Sequence, residues 1–199
     1  MVGSTGCGRT TLLTNIAFNN AAISWSRAYL NLFYRVKWHP DFIGWTLMVA
    51  FKPVKTPCVG ICSTGIGDSV CRGCKRFTHE VIHWNGYNES QRRIIAQRLE
   101  SYLTQVVDNR IEVVDQALLL AQIEHQQIQF KPEQPPQCWV FDLLRAGASQ
   151  ITSLADYGIA LRREWRDCAL TVIRDDIDKD FYALSCAYYE RYIAPGLAE

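Results

Sequence analysis

The sequence has no apolar run long enough to cross a membrane. The longest, Phe42 to Phe51, is ten residues and contains Gly44 and Thr46, against the ~20 that a spanning helix requires. It has no excess of either charge: 21 Lys and Arg against 20 Asp and Glu leave a formal +1. A polyanion binder that works through bulk charge is thereby excluded. Cysteine, at eight of 199 residues, falls well short of the roughly 8–10% of a disulfide scaffold. Methionine is scarcer still, with Met1 and Met48 alone. There is no internal repeat and no low-complexity tract. Thr10 to Phe18 imitates a secretory signal after Arg9, but Asn15, Asn19 and Asn20 interrupt it and no basic residue precedes position 9. What remains is a globular composition, 48% hydrophobic and 21% charged. The chain is expected to be cytoplasmic and without a membrane partner, a setting in which paired thiols are metal ligands or redox groups more often than disulfides.

Three stretches differ in character. Residues 1–47 hold Trp25, Trp38 and Trp45 and no clean helical stripe; they read as an N-terminal extension. Residues 48–107 carry a segment rich in Pro, Gly and Cys, followed by a helix. There Asn88 is placed to cap, with Gln91 at the reach-back position, and Ile95, Leu99, Tyr102 and Val106 mark one buried face. Residues 108–199 read as a helical C-terminal region. Helices are expected over Arg110 to about Gln129, Leu154 to about Arg174 and Lys179 to Ile193, and a turn over Lys131–Pro136. In the last helix Phe181, Leu184, Tyr188 and Tyr192 form the stripe, and Pro195-Gly196 ends it. The expected fold is mainly α: a small loop-rich four-cysteine metal knuckle followed by a helical body.

Several motifs imitate sites that their context does not support. Gly3 to Thr10 resembles a P-loop, yet only Met1 and Val2 precede it and Arg9 stands where the phosphate-binding lysine belongs. His79-Glu80-Val81-Ile82-His83 has the zinc-peptidase spacing, two ligands one turn apart with a general base between them. The methionine turn of the extended class has no methionine to form it downstream; the bland alternative is a short core-facing helix with both histidines solvated. Asp176-Ile177-Asp178-Lys179-Asp180 begins like a calcium loop but has Phe181 and Ala187 where Gly and Glu are required, so it reads as acidic residues around a helix N-terminus. Arg72, Lys75, Arg76, Arg92, Arg93 and Arg98 form a basic set that reads first as a solvated face. Cys7, Cys138, Cys168 and Cys186 are isolated, the last two on helical stripes, and are expected to be core residues.

One cluster does carry chemistry. Cys58-Val59-Gly60-Ile61-Cys62 is followed, after eight residues, by Cys71-Arg72-Gly73-Cys74. Two close pairs of thiolates joined by a short loop are what a tetrahedral sulfur site requires. Gly65, Gly67 and Asp68 suit the return loop. Gly60 and Gly73 allow backbone amides to approach the sulfurs, and Arg72, Lys75 and Arg76 are available to offset the negative charge. Soft thiolates suit zinc and an iron–sulfur cluster equally well. The alternatives are two disulfides or four unrelated buried cysteines.

Thr56 to Cys62, Cys71 to Arg76, and Glu80-Val81-Ile82-His83-Trp84 followed by Gln91-Arg92-Arg93 resemble the YdhL-like family. These are small bacterial proteins with a domain of unknown function, described as predicted iron–sulfur proteins. The resemblance covers about Pro57 to Leu99. The tail through Arg191-Tyr192-Ile193-Ala194-Pro195-Gly196 resembles longer members from gamma-proteobacteria. It implies a cluster on Cys58, Cys62, Cys71 and Cys74 and brings no established activity. Members begin a few residues before the first cysteine, whereas 57 residues precede Cys58 here, so a functional start at or near Met48 is expected. The leading reading is a cytoplasmic, non-catalytic four-cysteine protein holding an iron–sulfur cluster or zinc, whose helical body serves a protein partner or electron transfer. One alternative is a zinc-dependent peptidase built on His79 and His83. Another is a nucleic-acid-binding zinc module using Arg72, Arg76, Arg92 and Arg93.

Overall fold

A computed structural model describes residues 53–197. The extension over 1–47, the P-loop imitation and the expected start at Met48 lie outside the described residues. From Pro53 onward the chain forms one compact unit, mainly helical. In order it contains α1 (Thr78–Ile82), α2 (Glu89–Asp108), β1 (Ile111–Val113), α3 (Gln116–His125), α4 (Pro136–Gly147), β2 (Ile159–Leu161) and α5 (Leu170–Tyr188). Among the described residues no helix is long and apolar enough to cross a membrane.

The organising element is α2. Asn88 Oδ1 accepts the Gln91 amide and the Gln91 side chain accepts the Asn88 amide, both at 2.9 Å. This reciprocal cap satisfies two donors that a bare helix end leaves unpaired. Ile95, Leu99, Tyr102 and Val106 are all buried, as their spacing requires. They meet Val140, Leu143 and Leu144 of α4 and Ile173, Ile177 and Phe181 of α5 in one core. Each such aliphatic side chain contributes about 1.5–3 kcal/mol by leaving water.

Helix α4, for which the sequence reading has no counterpart, buries four consecutive residues, Cys138 to Phe141. Pro136 supplies its first helical position, where a missing amide costs nothing.

The structure corrects two long helices. Arg110–Gln129 is not continuous: Ile111–Val113 is a strand pairing antiparallel with Ile159–Leu161, and Asp115 then caps α3 by accepting the Leu118 amide at 3.0 Å. The β-branched run Ile111, Val113, Val114 favours the strand, and the Asp cap restarts the helix. Leu154–Arg174 is broken by Gly158, which adopts φ +65°. Its carbonyl accepts the Val114 and Asp115 amides at 2.8 and 2.9 Å. A Cβ on Gly158 would stand 2.4 Å from the Asp115 carbonyl oxygen, so only glycine fits there.

The C-terminal helix starts earlier than Lys179 and runs from Leu170 to Tyr188 before widening into a π-helical turn over Tyr189–Ile193. Phe181 and Leu184 are buried and Tyr188 packs on the core, but Tyr192 is exposed. The acidic run 176–180 therefore lies in mid-helix and caps nothing. Two of its carboxylates serve partners distant in sequence, Asp178 pairing with Lys75 and Asp180 with Arg110, while Asp176 pairs with Lys179 on the same helix.

Candidate metal centre

Cys71 and Cys74 sit in the turn of a short hairpin. Val70 and Phe77 form an antiparallel bridge, the Cys71 amide donates to the Arg76 carbonyl at 2.8 Å, and the Lys75 amide donates to the Cys71 carbonyl at 2.8 Å. Lys75 closes the turn in the left-handed region at φ +58°, a conformation non-glycine residues seldom adopt. Two cysteines three apart in so tight a turn are held side by side, and both are buried, 1% and 7% exposed. Burial pushes the Cys71 thiol up. The Cys74, Ser63 and Gly73 backbone amides and the Cys74 side chain outweigh it and bring Cys71 to about 7. Burial also raises Cys74, opposed chiefly by the Arg76 side chain.

Cys58 and Cys62 are exposed on the facing loop. Gly60, at φ +89°, turns that loop so that its amide donates to Cys58 Sγ at 3.5 Å. Cys62 Sγ lies 3.1 Å from Thr64 Oγ1. The loops meet through side-chain-to-backbone contacts: Cys71 Sγ donates to the Ile61 carbonyl at 3.6 Å, and Ser63 Oγ accepts the Arg72 amide at 2.9 Å. A Cβ on Gly73 would stand 2.5 Å from the Ile61 carbonyl oxygen and 2.8 Å from Val59 Cγ2. Cys58 and Cys74 line one groove. Among the described residues no three His, Cys, Asp or Glu side chains close into a group that could hold an ion. The structure thus gathers one cysteine pair and lays the loop bearing the other against it. The donor chemistry, the amides on Cys71 and the backbone contact that only Gly73 permits fit a thiolate-bound metal.

The basic residues do not form a solvated face. Lys75 and Arg76 are 2% and 3% exposed. The Lys75 ammonium reaches Asp178 of α5 and the Gly73 carbonyl, at 3.3 Å, beside the Phe181 ring. Arg76 Nε donates to Cys74 Sγ at 3.3 Å, and its guanidinium lies over the Trp84 ring. Arg92 donates to the Trp84 and Asn85 carbonyls, both at 3.2 Å. Of the four arginines of the nucleic-acid reading, Arg72 and Arg93 alone stay exposed, beside Asp68 and Glu89 respectively. Long side chains with internal acceptors bury their stems and charges together, which a count of charges along the sequence does not reveal.

The peptidase constellation is likewise dispersed. Glu80 is 4% exposed; its carboxylate accepts Arg98 Nη1 at 2.6 Å, Arg98 Nη2 at 2.8 Å and the Phe77 amide at 2.9 Å. A carboxylate so engaged has no free oxygen with which to take a proton from water. His79 is half-buried against the Phe77 ring, and His83 follows the helix, exposed, near Tyr87. On this short helix Ile82 is exposed, whereas Trp84 just after it is buried. His79→Ala and His83→Ala are each expected to leave bound metal unchanged and to shift stability by about 0.5 kcal/mol or less. Metal analysis and a denaturant titration of the two variants check this; loss of one equivalent of metal from either contradicts it.

The isolated cysteines are not alike. Cys138 is buried in α4, Cys186 is half-buried on α5, and Cys168 precedes α5 instead of lying on its stripe. The Glu80–Arg98 and Lys75–Asp178 pairs were not anticipated; residues 18 and 103 positions apart leave no local pattern.

Residues 56–102 match a family described as a protein of unknown function (DUF1289). The match covers both cysteine pairs, α1 and most of α2. No curated protein and no solved structure matches the chain.

Proposed function

We propose that this chain is a cytoplasmic, non-catalytic metal protein in which Cys58, Cys62, Cys71 and Cys74 hold an iron–sulfur cluster or a zinc ion, and that the helical body presents the centre to a protein partner. The observation that carries this reading is the Cys71–Cys74 turn: two buried sulfurs side by side, amides directed at one of them, and a second cysteine loop packed where Gly73 has no side chain. The resemblance to the YdhL-like family supports the cluster over zinc. Bound zinc would supply a structural cross-link, and a cluster would supply one-electron transfer. The protein's own part is to hold four thiolates and to shield two of them from water. The peptidase and nucleic-acid readings have less support, since Glu80 and Arg76 are committed to internal partners.

Anaerobic purification of the full chain, followed by metal and sulfide analysis and an absorption spectrum, tests the proposal. One cluster or one zinc per chain is expected. Ligand thiols must lose protons to bind, so uptake is expected to weaken as pH falls through about 7, where Cys71 takes up its proton. Protein that contains neither iron nor zinc, and takes up neither, refutes the reading.

A further inference from the structure

A buried guanidinium demands an anionic partner. Arg76 is 3% exposed and, among the described residues, no carboxylate pairs with it. Its Nε donates instead to Cys74 Sγ at 3.3 Å, and its plane is fixed over Trp84, with the ring centroid 4.8 Å from the guanidinium carbon. The neighbouring cations are engaged elsewhere: Arg72 with Asp68 at 2.8 Å, Lys75 with Asp178. A neutral thiol is a poor acceptor for a buried charged donor; a metal-bound thiolate is a good one. Four thiolates around a divalent ion carry two surplus negative charges, and Arg76 lies where it offsets part of that surplus at one sulfur.

We propose that Arg76 is the charge-compensating positioning residue of the centre, acting on Cys74, so that the centre is electronically lopsided: the Arg76-bonded Cys74 donates electrons and reacts less readily than the exposed Cys58 and Cys62, which are the sulfurs open to exchange and attack. This rests on the four-cysteine reading above. Arg72, Lys75 and Arg76 look equivalent in the sequence; the geometry assigns the role to one of them.

Cobalt(II) substitution in the full chain separates the two ideas. Parent protein that takes up no cobalt, zinc or iron overturns the metal reading and this inference with it. If the parent binds cobalt, Arg76→Gln is expected to move the sulfur-to-cobalt charge-transfer band to lower energy, because a hydrogen-bonded thiolate holds its electrons more tightly. It is also expected to speed alkylation of Cys74 in the loaded protein by about tenfold, with the modified cysteine identified by peptide mass. Arg76→Lys keeps the charge and is expected to fall between parent and Gln variant. If the Gln variant does not fold, the Lys variant alone decides through its band position. A band unmoved in every folded variant, with Cys74 alkylated within twofold of the parent rate, overturns the inference and leaves the metal reading standing.

Discussion

Replacing Cys71 and Cys74 together by Ser is expected to abolish metal binding and to unfold residues 56–77, while most of the helix content of α2, α4 and α5 survives. The two sulfurs are the only members of the candidate set that the hairpin buries, at 1% and 7% exposure. Apart from Val70 and Phe77, which flank the hairpin turn and are buried, the rest of that segment contributes little hydrophobic burial: Val59, Ile61 and Ile66 are all exposed, Ile66 at 85%. On the proposed reading a segment with so little core would depend on a bound metal, and structural zinc in small modules supplies about 10–16 kcal/mol of folding free energy. No side chain in the loops could replace that. The helices keep their own core, which runs from Trp84 to Leu184 without a contribution from Cys71 or Cys74. Far-UV circular dichroism and limited proteolysis of parent and variant check the result: cleavage is expected between 56 and 77 and helical signal is expected to persist. A variant as resistant to protease as the parent contradicts it. Metal-free parent has a smaller pH-dependent stabilisation of its own. The Cys71 thiol is lowered from 9.0 to about 7, so its contribution is fully present above about 9 and is lost as pH falls through about 7.

The parts of this molecule legible in the sequence are those written in short spacings. The cap at Asn88, the stripe from Ile95 to Val106 and the two cysteine pairs each repeat within one or two turns of chain, and local geometry is enough to decode them. What escaped were relationships across distance. The β1–β2 pairing joins residues about fifty positions apart, and neither three-residue strand is long enough to show a period of two. Gly158 breaks an apparent helix because of the Asp115 carbonyl, a contact invisible from either residue's neighbours. The charged residues were misjudged for the same reason. Lys75 and Arg98 have charged partners on other elements, and one-dimensional counting treats an internally paired charge and a solvated one alike.

Glu80→Ala is the other substitution expected to have a large effect, and it discriminates between two accounts of the His79–His83 segment. The Glu80 carboxylate fastens α1 to α2 through both Arg98 nitrogens and closes the first turn of α1 by accepting the Phe77 amide. Phe77 is itself fully buried; its ring carries the Arg98 guanidinium at 3.7 Å and packs against Tyr188 and Tyr189. Removing the carboxylate leaves Arg98, whose side chain is 16% exposed, without a counter-charge. Breaking one side of a buried pair costs about 3–5 kcal/mol. Arg98→Met is expected to cost less than Glu80→Ala, because it leaves Glu80 its bond to Phe77. The double variant Glu80→Ala/Arg98→Met is expected to be more stable than the sum of the two losses implies, since two neutral groups no longer strand a charge. Denaturant titration gives all three values; the midpoint is expected to fall with little change of slope. A general base predicts a different pattern, in which Glu80→Ala removes peptide cleavage and barely moves the midpoint. An unchanged midpoint would return Glu80 to a solvated, chemically available role and overturn the structural assignment of the whole segment.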